Sequence, residues 1–221
     1  MLLSNPAKFL FLALVIFTFT ACGSDQGTAV GGESMIPETT AEFPFPSKEP
    51  EDFQAELVIT AGGSTQTTRI ARKGDLRRTD YRFGTPEQYS VMHSDRGYLI
   101  SEPERIYAFE TPDNAETGPP DVSLFEARSY TEFEEIGKDG AIKTFRAKPE
   151  NSGSTEILIY VDENIGMPVK QEFYSIRGND RILQYTSEIR NFQTGSDESL
   201  FAVPENFRRV SREEFLRRIK R

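Results

Sequence analysis

The sequence predicts a mainly β protein: a highly curved antiparallel half-barrel of about 10–11 strands, with one or two short helices covering its concave side and a short amphipathic helix at the C-terminus. Three observations predict it. Beyond Phe53 the chain breaks into short apolar and β-branched runs divided by turn residues, the spacing of an all-β domain. Several of those breaks carry glycine where a two-residue hairpin needs positive φ, as at Gly62-Gly63 and Asp139-Gly140. Hydrophobic residues make up 37% and aromatic residues 11% of the 221-residue chain, which is enough to build a core. A sheet with so many strands twists and curls, and curling around one face is how it buries Phe, Tyr, Ile and Val side chains.

The elements run in order from an apolar leader. Lys8 and the free amine give a positive start, Phe9 to Phe19 an apolar run, and Thr20 and Ala21 small residues before Cys22. A bilayer-spanning helix needs about 20 apolar residues, and this run is roughly half that. Residues 1–21 therefore read as a secretory signal, cut between Ala21 and Cys22. The segment resembles the bacterial lipobox, with Phe19 where that pattern usually carries an aliphatic residue. The resemblance implies that Cys22, the chain's one cysteine, carries an S-diacylglycerol and an N-acyl group; the alternative is an ordinary signal with Cys22 a bystander. Acyl burial is worth about 0.8 kcal/mol per methylene, so several chains would hold the protein on a membrane. Gly23 stands where Asp would favour inner-membrane retention, so the expected address is the outer membrane, facing the periplasm.

Residues 22–52 are rich in Gly, Ser, Thr, Pro and acid and read as a lipidated flexible tether, with a typical reach of about 30 Å. Within it the Phe43-Pro44-Phe45-Pro46 run is either a docking motif or a stretch that packs onto its own domain.

Residues 53–210 form the β domain. Phe53 to Ala61, Ser64 to Lys73, Leu76 to Phe83, Glu87 to Ser94, Tyr98 to Ser101 and Arg105 to Glu110 make a six-strand meander. A Pro- and acid-rich loop, Thr111 to Pro120, follows, and Asp121 to Ser129 fits a short helix. Strands resume near Thr131, turn at Asp139-Gly140 and continue through Ala141 to Ala147, Thr155 to Val161, Pro168 to Ile176 and Arg181 to Phe192, with Gly178-Asn179-Asp180 between the last two. Pro204 cannot donate to a ladder, so Leu200 to Phe207 runs along an edge or leaves the sheet. Residues 211–221 read as a basic helix: Ser211 is the N-cap, Glu214 completes a capping box, and Val210 with Phe215 forms a hydrophobic staple. Phe215, Leu216 and Ile219 share one face, and Arg217, Arg218 and Lys220 stay wet.

Gly74-Asp75-Leu76-Arg77-Arg78, Asp95-Arg96-Gly97-Tyr98, Pro103 to Tyr107, Met167-Pro168-Val169 and Phe201-Ala202-Val203-Pro204 with Phe207 together resemble the LolA-like superfamily of periplasmic lipoproteins and lipoprotein carriers. The resemblance covers roughly Phe53 to Val210 and implies a curved, incomplete β-barrel with an apolar cavity that receives acyl chains. It transfers no functional residue except Cys22. Arg77 and Arg78 both fit the strand motif, so the family's cavity-gating arginine is assigned to neither.

Charge and composition narrow the function classes. A formal charge of -9 makes nucleic acid an unsuitable partner. His93 is the sole histidine and falls in a strand, so there is no His pair for a metal and no base beside a Ser or Cys nucleophile. Neighbouring carboxylates such as Glu134-Glu135 point to opposite faces of a strand, which does not suit paired acid and base work. Asp162-Glu163-Asn164 and Asp197-Glu198 read as turn chemistry. No enzyme, cofactor or metal is expected. Two readings stand: an envelope lipoprotein that binds a lipid or other hydrophobic ligand, with a role in lipid or lipoprotein trafficking, or a non-enzymatic scaffold or stress-sensing module of the same fold. In the second, the basic helix docks an anionic partner or simply covers the sheet.

Overall fold

Gly62 and Gly63 both adopt positive φ (56° and 81°), and this lets Ala61 pair directly with Ser64 across a two-residue turn. Turns of this kind fold the chain into twelve strands of one curved, open sheet in the computed structural model, which describes residues 43–46, 49–110, 130–150 and 153–219. The strands are β1 (Asp52–Ala61), β2 (Ser64–Lys73), β3 (Leu76–Tyr81), β4 (Tyr89–His93), β5 (Gly97–Ser101), β6 (Ile106–Glu110), β7 (Tyr130–Asp139), β8 (Ile142–Pro149), β9 (Thr155–Asp162), β10 (Met167–Arg177), β11 (Asp180–Thr194) and β12 (Arg208–Arg209). Among the described residues a 3-10 turn covers Glu198–Phe201 and a helix, α1, covers Arg212–Ile219. The described residues lie in one compact unit, Glu38–Arg221. The predicted helix at 121–129 and the loop before it lie outside the described residues, as do Ala21 and Cys22.

The strand order is β12-β6-β5-β4-β3-β2-β1-β11-β10-β9-β8-β7. Two meanders, β1 to β6 and β7 to β11, therefore join back to back along the antiparallel β1–β11 pair. The eleven long strands match the predicted segments, and the twelfth exceeds the expected number. Pro204 lies in the segment that leaves the sheet after the 3-10 turn, and the chain returns to lay Arg208 and Arg209 parallel to Ile106 and Tyr107.

Every register shift falls in one half of the sheet: between β1 and β11, β11 and β10, β10 and β9, and twice between β8 and β7. The ladders from β1 to β6, and β8–β9, run without interruption. A bulge bends and twists its strand, so the strongest local curvature belongs to the β7–β11 half.

Helix α1 begins as its sequence dictates. The Ser211 hydroxyl accepts from the Glu214 amide at 3.1 Å, and Val210 and Phe215 share one apolar cluster. The reciprocal half of the capping box differs from expectation, because the Glu214 carboxylate turns to Arg208 (3.1 Å) and Arg218 (3.0 Å). Among the described residues no helix is long and apolar enough to cross a membrane.

Candidate functional site

Cross-strand partners share a face of a sheet, and the register draws one apolar face through both meanders. Phe133, Ala147, Ile157, Phe173, Tyr185 and Ala61 are successive partners from β7 across to β1. Ala55, Ile70, Thr79, Val91, Leu99 and Ala108 continue on the same face from β1 to β6. Three hydrophobic clusters occupy it. The first gathers Phe145, Ala147, Ile157, Ile159, Val161 and Phe173 on β8 to β10; the second Phe53, Ala55, Leu57, Ile70 and Met167; the third Leu99, Ile106 and Ala108 with Val210 and Phe215.

The two ends of this face are covered by different pieces of chain. At the β4–β6 end α1 sets Phe215 down fully buried, with Leu216 and Ile219 beside it. At the β7–β10 end the cover comes from upstream of β1. Phe45 is buried in the first cluster, with its ring centroid 5.4 Å from Phe145 and 5.8 Å from Phe133; Phe43 lies 5.4 Å from Phe133. Of the two alternatives for the Phe-Pro run, it is the packing onto its own domain that the structure contains.

Between the covered ends, part of the face is open. Ile59, on the same face as Ala61, is 40% exposed. It borders a cavity of about 510 Å³ whose walls include Ala61, Gln66, Arg82, Phe83 and Glu87. That volume falls in the range of small-molecule sites, about 300–1,000 Å³. Several polar side chains are buried in this face, Thr68, Thr79 and Ser101 among them, and Gln171 joins them near the Phe145–Phe173 cluster. Gln171 of β10 is the cross-strand partner of Ile159 and of Ser187; it is 4% exposed, and among the described residues its amide nitrogen has no hydrogen-bond partner. Leaving a buried donor unpaired costs about 1–3 kcal/mol.

The opposite face is the more polar one, with Ala71, Met92 and Ile100 buried among its charged groups. At its centre the Asp80 carboxylate is buried and accepts from two guanidiniums, Arg78 Nε on one oxygen (2.6 Å) and Arg69 Nε on the other (2.5 Å). Arg78 also donates to Glu102 (2.7 Å), to the Ser90 hydroxyl (3.2 Å) and to the Leu200 carbonyl in the 3-10 turn (3.1 Å). Burial works against the Arg78 charge, and Asp80 and Glu102 outweigh it, so its pKa rises above the ordinary value. The arrangement ties the 3-10 turn to β3. Arg77, the other candidate from the strand motif, falls on the opposite face, as partner of Arg72 and His93.

Two further clusters mark the polar face. Tyr98, Tyr107 and Phe109 pack ring to ring at 5.6–6.4 Å, with the Arg96 and Arg209 guanidiniums 5.0 and 4.2 Å from the Phe109 ring. On β9 and β10, Glu172 accepts from the hydroxyls of Tyr160 (3.0 Å) and Tyr174 (2.7 Å), and Lys170 pairs with it.

His93 is exposed on β4. Glu134 pairs with Arg146 and Glu135 lies 3.9 Å from Lys143; Asp162 and Asp197 accept from the Asn164 and Ser199 amides in turns, and Glu163 pairs with Lys138 and Lys143. Among the described residues no group of three His, Cys, Asp and Glu side chains comes together. The basic residues around α1 face carboxylates of their own domain: Arg208 pairs with Glu214, Arg212 with Glu110 and Arg218 with Glu104. Sequence reasoning missed Gln171 and the Asp80 cluster. The i, i+2 spacing of Arg78 and Asp80, which puts opposite charges on one face of a strand, is the signal that finds the latter.

No family model and no curated protein matches this sequence. Solved structures do match it. LolA-superfamily chains are among them. The LolA superfamily protein NE2245 from Nitrosomonas europaea is 12% identical, with 70% of this chain and 92% of that one covered, at a TM-score of 0.30. An outer membrane lipoprotein-sorting protein domain from Vibrio parahaemolyticus is 17% identical, covering 68% and 88%, at a TM-score of 0.26. The Pseudomonas aeruginosa MucA/MucB complex matches at 14% identity over 72% of this chain and 58% of the other, at a TM-score of 0.44. This chain thus spans less than two thirds of the MucB chain. At such similarities no residue role transfers.

Proposed function

We propose that this protein is a non-enzymatic envelope lipoprotein that holds a lipid or another hydrophobic ligand on the apolar face of its curved sheet. The observation that carries this is the apolar face itself: it runs from β7 to β6, is covered at both ends, is open at Ile59 and Ala61, and holds a Gln171 amide nitrogen that has no partner among the described residues. Apolar walls with a few placed polar groups are what a hydrophobic ligand with one acceptor atom requires. In this reading Cys22 carries the acyl anchor, residues 22–52 lead to the domain, and the protein faces the periplasm from the outer membrane.

The test is lipid extraction and native mass spectrometry of the full chain purified from envelopes, with a pyrene-labelled fatty acid as added probe. The expected result is a stoichiometric bound lipid and saturable probe binding. Replacing Gln171 by Leu removes the unsatisfied donor, so Q171L is expected to unfold at higher denaturant, by about 1–3 kcal/mol, while binding the probe more weakly. No bound lipid and no saturable binding by either chain would end the proposal. For the anchor, radiolabelled palmitate should mark the wild-type chain and not C22A.

The aromatic group Tyr98, Tyr107 and Phe109 with Arg96 and Arg209 supports a second reading, an interaction module, because Tyr and Arg are enriched at binding hot spots. Pull-down with Y107A and R209A separates the two: loss of a protein partner with fatty-acid binding intact favours the module.

A further inference from the structure

Phe43 and Phe45 do more than extend the core. The strip of β7 to β10 that they cover is the part of the sheet with the most bulges and holds a continuous floor of Phe133, Phe145, Ala147, Ile157, Ile159 and Phe173. The cover is a short segment: Phe45 is 7% exposed, whereas Pro44 and Pro46 on either side of it are exposed. Proline holds its own φ near −65° and biases the preceding residue toward extended backbone, so both phenylalanines are presented from a chain that is stiff before it docks. The segment lies just upstream of β1 in the sequence.

We infer that the apolar face of β7–β10 is a binding site for a pair of aromatic or acyl groups, filled in cis by Phe43 and Phe45, and that a hydrophobic ligand occupies the same place by displacing them. The inference rests on the proposed hydrophobic-ligand function and adds the ligand's position and its built-in competitor. A competing segment lowers apparent affinity by the fraction of molecules in which the site is free, and removing the segment restores that fraction.

The experiment uses the full chain in phosphatidylcholine nanodiscs, with a pyrene-labelled fatty acid titrated and the signal of empty nanodiscs subtracted. F43S/F45S is expected to bind the probe about tenfold more tightly or better. In a second measurement, benzoylphenylalanine at position 45 of the otherwise wild-type chain should photo-crosslink to peptides of β7–β9, and the fatty acid should suppress that crosslink as it saturates the site. Equal affinity of wild type and F43S/F45S, with a crosslink that the fatty acid leaves unchanged, would overturn the displacement and leave ligand binding elsewhere on the sheet standing. Absence of probe binding in both chains would overturn the displacement together with the function on which it rests.

Discussion

Asp80 holds two guanidiniums with 1% of its side chain exposed, and that burial decides what its loss would do. Replacing an exposed ion pair costs about 0–1 kcal/mol, but removing the buried carboxylate leaves the buried Arg78 guanidinium short of its closest counter-charge, with the half-exposed Glu102 as its remaining acid, at about 3–5 kcal/mol. D80A is therefore expected to lose about 3–5 kcal/mol in urea unfolding, with proteolysis of the Glu198–Phe201 turn increased because Arg78 no longer holds a fixed position beneath Leu200. A loss below about 1 kcal/mol would mean that water reaches the cluster. A second residue sets a pH dependence. Burial, and then the hydrogen bond to Glu172, push the Tyr160 hydroxyl from 10.0 up to about 12. The folded state prefers the neutral phenol, so this stabilisation is complete below pH 10 and is lost as pH rises through about 12. Glu172 runs the other way. Burial raises its pKa, but hydrogen bonds from Lys170, Tyr174 and Tyr160 outweigh that and hold it below the ordinary carboxylate range, so its contribution fades only as pH falls through that depressed value. Urea midpoints measured from pH 10 to about 12 should fall more steeply for wild type than for Y160F; parallel slopes would contradict the assignment.

Helix α1 covers one end of the apolar face although it is only two turns long, and so short a helix depends on its cap and its staple rather than on propensity. S211A removes the hydroxyl that satisfies the Glu214 amide and is expected to cost about 0.5–2 kcal/mol, with faster hydrogen exchange confined to α1 and the neighbouring β6. Uniform exchange across the sheet would instead make α1 part of the global unit. Elements of this kind are legible in the sequence because their determinants are local: a capping residue, a staple, or a glycine at positive φ such as Gly62, Gly74, Gly140 and Gly178. The strand from Ser64 to Lys73 lies where its turns place it for that reason. What is not local is not legible. The bulge at Asn191 exists only because β1 and β11 pair with one extra residue on β11, and neither strand alone carries that information. The parallel pairing of Arg208 with Ile106 brings together segments far apart in the chain, so a two-residue strand there leaves no pattern. Arg78 could not be told from Arg77, since which of two adjacent residues faces the buried cluster depends on the parity of the whole sheet. Gln171 reads as one polar residue in an alternating strand until its partners Ile159 and Ser187 place it on the apolar face.

At the scale of the molecule the sheet is two meanders and one seam. Within each meander the strands pair with sequence neighbours, whereas the seam joins residues as distant as Gln54 and Gln193, which are 139 positions apart and hydrogen-bonded at 2.7 Å. Closing a loop costs entropy that grows with its length, and pairing across it returns nothing until it closes. The β7–β11 meander, with its nearly continuous cluster from Phe145 to Phe173, is therefore expected to form first, and the β1–β11 seam to form after the rate-limiting step. Folding on the order of milliseconds to seconds is the range for such topologies. The mutational consequence is specific. Ile159 lies at the centre of that meander, fully buried, and Ile189 lies on the seam opposite Leu57. I159V is expected to slow folding, with φ above about 0.5, whereas I189A is expected to leave the folding rate nearly unchanged and to speed unfolding, with φ near 0. Chevron plots of the two variants decide it. If I189A slows folding as much as I159V, the seam is part of the nucleus and the two halves do not form in sequence.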